Sequence, residues 1–592
     1  LARLAPDQRA AATAPPGPVL CIAPAGSGKT TTLVARVAWL VATGVDPATI
    51  AAITFNARAA EELRERVAPA LEPLGAGVGT GAGPLAGDSP TAGTAPSSPG
   101  IRVRTFHALG LEILRDAGRP PHLVPRDRLL RTVLPEADAP ARRRLDDAFS
   151  RLKLDLGVTA ADVARDPEPG PVARAFLAYE RALADAGGMD FDDLVGGALR
   201  ALGRDEALLG RWRARCAHLL VDEVQDVDRS QLELALLLAA PANRVFLVGD
   251  DDQSIYGWRL ADVRRVLGLA ARLPDLRRVD LEVNYRCPAP VLERAVRLVE
   301  HNEERFAKAI RAGPGATGRL VLAPLPPDGR GLLARLLATW PDDGGRRAVL
   351  ARTRRELLPL VGEALELGVP FRADRVELPI DDLRLDGILG TAIADRRPLP
   401  LAARLAAPTP RPPASAAPGT AAGTPPDPPP GASSAAPSAT PPSAEPGEAA
   451  ASPDDPEPEP TWTLDELRAA LVGWAVRLPP GADLAVAVAG ARDRLAALRS
   501  PDAALTLATA HGTKGLEWDH VGVLGMTEGR FPGARSLREA ADPARALEEE
   551  RRLAYVAWTR ARRSLTLLYD PAAPSPFLLE AFDPDELGAP AG

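Results

Sequence analysis

Short runs, unbroken apolar or alternating, recur along the chain and end in small or polar residues: Val19-Leu20-Cys21-Ile22, Ile53-Thr54-Phe55, Ile101-Arg102-Val103, His218-Leu219-Leu220-Val221, Val245-Phe246-Leu247-Val248, Ala348-Val349-Leu350 and Leu505-Thr506-Leu507. Runs of this length and kind predict strands, most of them buried on both faces as in a parallel sheet. Helical spacing follows the first two, at Leu33, Val34, Val37, Leu40 and Val41 and again from Ala59 to Val67. Alternating strand and helix predicts an α/β fold. Residues 108–200 break the alternation. Leu109–Leu114, Leu129–Leu134 and Val172–Leu183 repeat at helical spacing, which predicts a helical insertion. Asp190-Phe191-Asp192-Asp193-Leu194 closes that block, and acids at a helix N-terminus account for it. A strand–helix–strand unit spans 347–373. The pattern then fades until two helical patches at 463–477 and 484–498, and a strand–loop–strand unit resumes from 504.

Composition divides the chain further. Residues 72–100 and 406–460 are Gly, Ala, Pro, Ser, Thr and acid with little apolar bulk, so both are expected to be disordered. At 592 residues the chain exceeds one core and several domains are expected. No run of about 18 apolar residues occurs, so no membrane span is expected. The start lacks both a signal pattern and a Met, so it is expected to be trimmed. The net charge of −7 does not announce a nucleic-acid binder, but the acidic tract 441–460 hides any basic groove. Cys21, Cys216 and Cys287 have no metal-ligand spacing and read as buried apolar residues in a reducing compartment. Lysine occurs only at Lys29, Lys153, Lys308 and Lys514 against abundant arginine. Lysines kept in such a background are expected where a compact point charge matters.

The chemistry begins at Ala23-Pro24-Ala25-Gly26-Ser27-Gly28-Lys29-Thr30-Thr31. Strand, small-residue turn and helix follow one another as in a phosphate-binding loop, with Ala23 at the usual first Gly. Backbone N–H groups of Ala25, Gly26, Ser27 and Gly28 would cradle phosphate, Lys29 would reach the β and γ phosphates, and Thr30 would hold Mg²⁺. The strand ending Asp222-Glu223 delivers a Mg²⁺ carboxylate and a base for the attacking water. Gln253 ends another strand, placed to sense a γ-phosphate. Tyr256, Trp258 and Arg259 form a stacking platform for unpaired bases or an aromatic turn on the core. Phe55 stacks a base or packs the core. Gln8 reads an adenine edge or lies on the surface. Tyr285 and Arg286 serve adenine and γ-phosphate, or form a surface pair. The loop His511-Gly512-Thr513-Lys514 reads as a polyanion-binding loop. Arg560, beside the stripe Leu553, Val556 and Ala557, needs an anion, either γ-phosphate or a carboxylate.

Taken in order, Pro6-Asp7-Gln8, the phosphate loop, Ile53-Thr54-Phe55, Thr105-Phe106-His107, Val221 to Asp226, Gly249 to Arg259, Asn284-Tyr285-Arg286, Thr509 to Trp518 and Glu549 to Ala561 resemble the motifs of the UvrD/Rep/PcrA family of DNA helicases. The resemblance implies two RecA-like motor domains with parallel sheets. The first takes 1–107 and 195–275, with 108–194 as a helical accessory insertion. The second takes 276–375 and 501–592, with 376–500 as a reduced insertion. It implies ATP and Mg²⁺ as cofactors, single-stranded and 3′-tailed duplex DNA as partners, and movement 3′ to 5′. Gln8 and Tyr285 then resemble the adenine contacts and Glu517 a ribose-side contact. Lys29, Thr30, Asp222 and Glu223 resemble the hydrolytic set, Gln253 the coupling glutamine, and Arg286 and Arg560 the γ-phosphate arginines. Phe55, Thr105, His107, Tyr256, Trp258, Thr509 and His511 resemble DNA-facing residues. Ala57 and Leu260 depart from the family's Asn and Gly, and no fused nuclease is expected after Arg560. The expected activity is an ATP-dependent helicase of a bacterial cytoplasm, in repair, recombination or replication restart. The alternatives are a translocase that displaces proteins with little unwinding, or a non-catalytic DNA-binding scaffold. Pathway, protein partners and oligomeric state stay open.

Overall fold

The computed structural model describes residues 1–79, 100–326, 331–374, 376–382, 384–395, 400–406, 462–479 and 482–587. Of the two stretches expected to lack structure, 80–99 and 407–460 lie outside the described residues, while 72–79 are ordered, contrary to expectation: Glu72–Leu74 form a 3₁₀ turn and Val78 bridges to Ile101. The chain divides into two compact units, 1–376 with 498–592, and 377–497.

The larger unit holds two parallel sheets. The first contains β1 (Val19–Ile22), β2 (Ile50–Thr54), β3 (Arg102–Thr105), β4 (His218–Val221), β5 (Val245–Gly249) and β6 (Arg277–Asp280), in the order β3-β2-β4-β5-β1-β6. A two-residue pair follows, β7 (Val283–Asn284) with β8 (Arg311–Ala312). The second sheet contains β9 (Arg319–Pro324), β10 (Arg347–Ala351), β11 (Phe371–Arg372), β12 (Leu505–Thr509), β13 (Trp518–Val523) and β14 (Ala561–Tyr569), in the order β11-β12-β10-β13-β14-β9. The unbroken apolar runs have a direct cause: the first sheet is covered on both faces. Leu20 and Ile22 join Ile53, Leu219, Val221 and Leu247 in one core, while Val19 and Cys21 join Ala52, Leu220, Phe246 and Val248 in the other. All three cysteines are buried free thiols.

Between β3 and β4 the chain is helical, as its periodicity predicts, from Phe106–Asp116 to Glu206–Arg215. The acids at 190–193 do more than face a helix dipole. Asp190 is buried and accepts from Arg126 at 2.7 Å, Lys153 at 2.8 Å and the Tyr179 hydroxyl at 2.8 Å. Arg126 also donates to Asp192, and Lys153 to Asp193. Burial forces these charges to pair, so the cluster pins helices distant in sequence to one another.

The smaller unit carries helices at Arg384–Ala394, Leu401–Ala406, Leu464–Arg477 and Leu484–Leu498. The first two lie where the sequence pattern fades. Leu385, Leu389 and Ala392 still fall on one face and are buried. No helix among the described residues is long and apolar enough to cross a membrane.

Candidate functional site

Strands β4, β5 and β1 are neighbours, so their C-terminal ends bring three loops together. The loop after β1 turns at Gly26 (φ 69°) and Gly28 (φ 86°), both left-handed, and the helix Lys29–Ala42 starts at once. Thr30 and Thr31 stand in its first turn. Ala23 replaces the first Gly without cost, because it is fully buried at the end of β1 and needs no positive φ. The Ser27 hydroxyl is buried with no hydrogen-bond partner among the described residues. A Cβ on Gly28 would lie 2.6 Å from the Gln8 amide nitrogen. This bare cradle at a helix N-terminus fits a phosphate chain. Thr30 and Asp222 carry oxygens of the kind a phosphate-bound Mg²⁺ takes from protein, one or two per ion.

After β4, Glu223 adopts the left-handed conformation (φ 50°). That strain aims its carboxylate at the phosphate loop, where Lys29 Nζ lies 3.0 Å away. Gln225 Nε2 donates to the same carboxylate at 2.5 Å. Burial, and then the adjacent Glu223 charge, push the Asp222 carboxyl up. Burial acts on Glu223 too, but Lys29 and Lys514 outweigh it and hold that carboxyl down. The pair is thus split, with Glu223 the more readily ionised member.

A chain of hydrogen bonds runs on from there. Gln225 Oε1 accepts from the Asp250 amide at 3.0 Å, and Asp250 Oδ2 accepts from Gln253 Nε2 at 2.6 Å. Gln253 Oε1 accepts from Arg560 Nη2 at 3.3 Å. Arg560 is 1% exposed and otherwise donates to the Val556 and Leu516 carbonyls and the Thr559 hydroxyl. No carboxylate among the described residues pairs with it. Burial, and then the Arg286 charge, draw its guanidinium down to about 9. Arg286 does have a carboxylate, Glu517 at 2.7 Å, which Arg562 shares at 3.1 Å.

The Asn284-Tyr285-Arg286 segment lies on the phosphate loop. Asn284 Nδ2 donates to the Ala25 carbonyl at 2.6 Å, and the Tyr285 amide donates to the Gly26 carbonyl at 2.9 Å. A Cβ on Gly26 would fall 2.7 Å from Arg286 Cβ, so Gly is required there. The Tyr285 ring is 52% exposed, open for stacking. Gln8 is turned inward, donating to the Ser27 carbonyl at 2.8 Å and accepting from the Ala5 amide at 3.2 Å.

Rings gather on a second face. Phe55 stacks on Tyr256 with centroids 5.4 Å apart, and Trp258 meets Tyr256 edge-on at 6.1 Å. Arg259 lies over the Trp258 ring, which is 47% exposed. Leu260 keeps a left-handed conformation (φ 66°) at the position where Gly is usual in the resembled motif. The turn therefore survives the substitution, at a cost on the order of 1 kcal/mol. Thr105 caps the helix Phe106–Asp116 through the Ala108 amide, and the His107 ring stacks on Phe191 at 4.0 Å. Thr509 ends β12, and its hydroxyl accepts from the Gly512 amide next to His511.

Lys514 corrects an expectation. Its ammonium is not presented to a polyanion. It is bound by the buried Asp226 carboxylate and the Gln253 carbonyl, and lies 5.0 Å from the Tyr256 ring centroid. A buried carboxylate needs a cation, and Asp226 takes this one.

Gln225, Asp250 and Lys308 escaped the sequence reading. Lys308 is buried against Asp250, Asp251 and Asp252. The signal was available, since every lysine of this chain sits among carboxylates: Lys29 on Glu223, Lys153 on Asp190, Lys308 on the three aspartates and Lys514 on Asp226.

Comparison with known proteins gives the family. The family described as UvrD/REP helicase N-terminal domain matches residues 4–126 and 138–274, and the UvrD-like helicase C-terminal domain matches residues 492–571. DNA helicase II of Escherichia coli (strain K12) is 30% identical over 636 aligned positions, covering 95% of this chain and 84% of the relative. DNA helicase II of Salmonella typhimurium is 29% identical with the same coverage. The ATP-dependent DNA helicase PcrA of Staphylococcus aureus (strain Mu50) is 32% identical over 321 positions, 51% of this chain and 41% of the relative.

Proposed function

This chain belongs to the UvrD/REP helicase family and is an ATP-dependent DNA helicase, and we propose that it is a translocase that moves 3′ to 5′ along single-stranded DNA. Residues 1–107 with 195–275 form its first motor half, and 276–375 with 501–592 its second. One observation supports this reading above the others. Arg560, a buried arginine that no carboxylate among the described residues pairs with, is joined through Gln253, Asp250, Gln225 and Glu223 to the phosphate-loop lysine Lys29. The γ-phosphate is the anion that suits this guanidinium, and the chain lets its presence or loss be felt on both sides.

The residues divide the work. Lys29 leaves Glu223 for the β and γ phosphates. That frees the Glu223 carboxylate, already charged, to orient a water and accept its proton. Arg560 and Arg286 neutralise charge that develops on the transferred phosphoryl group. Thr30 and Asp222 would hold Mg²⁺, which would draw charge from the phosphates. Tyr285 stacks adenine beside Gln8, and Glu517 lies on the ribose side. Phe55, Tyr256 and Trp258 stack bases, with Arg259, Thr105, His107, Thr509 and His511 along the strand's path. Loss of the shared anion loosens the two halves, so each cycle advances the strand by about one stacked base.

A bacterial cytoplasm is the proposed setting, with work on single-stranded and 3′-tailed duplex DNA in repair, recombination or replication restart. The small size of the 377–497 unit favours, as a second reading, a translocase that strips proteins with little unwinding. Paired duplexes with a 3′ or a 5′ single-stranded tail test both under single-turnover conditions. Unwinding of the 3′-tailed duplex alone is expected. Unwinding from the 5′ tail overturns the polarity. Single-stranded-DNA-stimulated ATP hydrolysis without unwinding establishes the second reading.

A further inference from the structure

Three consecutive aspartates follow β5, and the side chains of all three are fully buried. One ammonium serves them. Lys308 Nζ lies 3.0 Å from Asp250, 2.5 Å from Asp251 and 2.8 Å from Asp252. Asp252 also has Arg305, at 3.1 and 3.0 Å, and Asp251 accepts from the Phe306 amide at 2.8 Å. Among the described residues Asp250 has Lys308 as its one cationic partner. Burial works to lower the Lys308 ammonium, but the three aspartates hold it above the usual lysine range, so it stays charged.

The free Asp250 oxygen fixes an amide. It accepts from Gln253 Nε2, which leaves Gln253 Oε1 facing the Arg560 guanidinium. The opposite orientation would set an amide NH₂ against a guanidinium, donor against donor. Lys308 also sits on a segment that grips the other side of this contact. Asn302 donates to the Glu548 carbonyl at 3.1 Å, and the Glu303 and Glu304 amides donate to the Glu548 carboxylate at 2.9 and 3.2 Å. Glu548 belongs to the helix Pro543–Trp558, which leads directly into Arg560. Residues 302–308 therefore bind the loop that carries Gln253 and the helix that carries Arg560.

We propose that Lys308 is a positioning residue for ATP hydrolysis: by holding Asp250 as an acceptor it keeps the Gln253 amide oxygen turned to Arg560. The inference rests on the reading of Gln253 and Arg560 as part of the hydrolytic machinery. Lys308 itself touches neither nucleotide nor DNA in that reading, so it acts through the amide.

The test compares kcat and KM for ATP at saturating single-stranded DNA in wild type, Lys308→Met, Asp250→Asn, Gln253→Ala and the double variant Lys308→Met/Gln253→Ala. Lys308→Met is expected to lower kcat about tenfold with KM within about twofold. In the Gln253→Ala background the same change is expected to cost less than about twofold, because the amide it orients is gone. Asp250→Asn should match Lys308→Met. Its single amide oxygen goes to the ammonium, which leaves an NH₂ facing Gln253 and turns that amide over. Equal proportional losses in both backgrounds, or a loss confined to KM, overturn the proposal. If Lys308→Met does not fold, the near-isosteric Asp250→Asn decides, and unchanged kcat there overturns it. A stimulated wild type with an equally stimulated Lys308→Met sinks this inference alone. A wild type without DNA-stimulated hydrolysis sinks the functional reading with it.

Discussion

Arg560 Nη2 lies 3.3 Å from Gln253 Oε1, and no carboxylate among the described residues pairs with this buried guanidinium. A charge this deep is ordinarily paired. Arg560 is instead held in place by carbonyls and a hydroxyl, which orient it without neutralising it. Such a group is expected to bind an anion that the chain itself does not supply. Arg560→Ala should therefore lower DNA-stimulated kcat on the order of a thousandfold, as loss of a transition-state arginine does. Arg560→Lys should rescue little, because one ammonium cannot reproduce the fork that spans Val556, Leu516 and Gln253. Steady-state hydrolysis at saturating DNA measures both, with thermal melting to confirm folding. A loss below about tenfold in Arg560→Ala would assign the guanidinium to structure.

The aromatic face makes a separable claim about DNA. Trp258 is half exposed, has a guanidinium over one side of its ring, and meets Tyr256 edge-on. Its ring contacts among the described residues are with Tyr256 and Arg259. Trp258→Ala should cost about 1–3 kcal/mol of single-stranded DNA affinity, the value of one stacked base. Nucleotide affinity without DNA should be unchanged. Fluorescence anisotropy with a labelled oligothymidylate reads the first quantity and a fluorescent nucleotide analogue the second. Equal weakening of both would mean that the ring supports the loop and not the strand.

What could be read before the structure was whatever is local in sequence. Lys29 follows its glycines, Asp222 and Glu223 follow their strand, and Arg560 follows its buried stripe, so each carries its own signal. Lys514 carried a signal too, but its partner is Asp226, 288 residues away, and no spacing rule reaches that far. Asp190 was explained by the helix it precedes, while its true partners are Arg126 and Lys153. The Lys308 cluster was hidden for the same reason. Scarcity of lysine was the one global clue, and it pointed the right way: a compact ammonium can sit among three carboxylates where a planar guanidinium would crowd them. The helices at Arg384–Ala394 and Leu401–Ala406 were missed because each is short and proline-rich chain lies close by, which blurs a helical period.

Two histidines tie the site to pH. Burial lowers the His107 imidazole to about 4, and burial, then the Arg352 charge, lowers His511 to about 3. In the unfolded chain both titrate near about 6.5. Above that value both states hold neutral rings and nothing is lost. As pH falls through about 6.5 the unfolded chain takes up protons that the folded chain refuses, so folding loses free energy until His107 and then His511 are protonated in place. Asp228 works in the opposite direction. Burial raises its carboxyl to about 7, and the folded state gains as that group takes its proton. The slope of the wild type alone therefore mixes both effects, and the difference between variants isolates one. In His107→Gln/His511→Gln the melting midpoint should fall less between pH 7.5 and 5.0 than in wild type. Parallel curves for the two proteins across that interval would show that neither ring is held neutral by the fold.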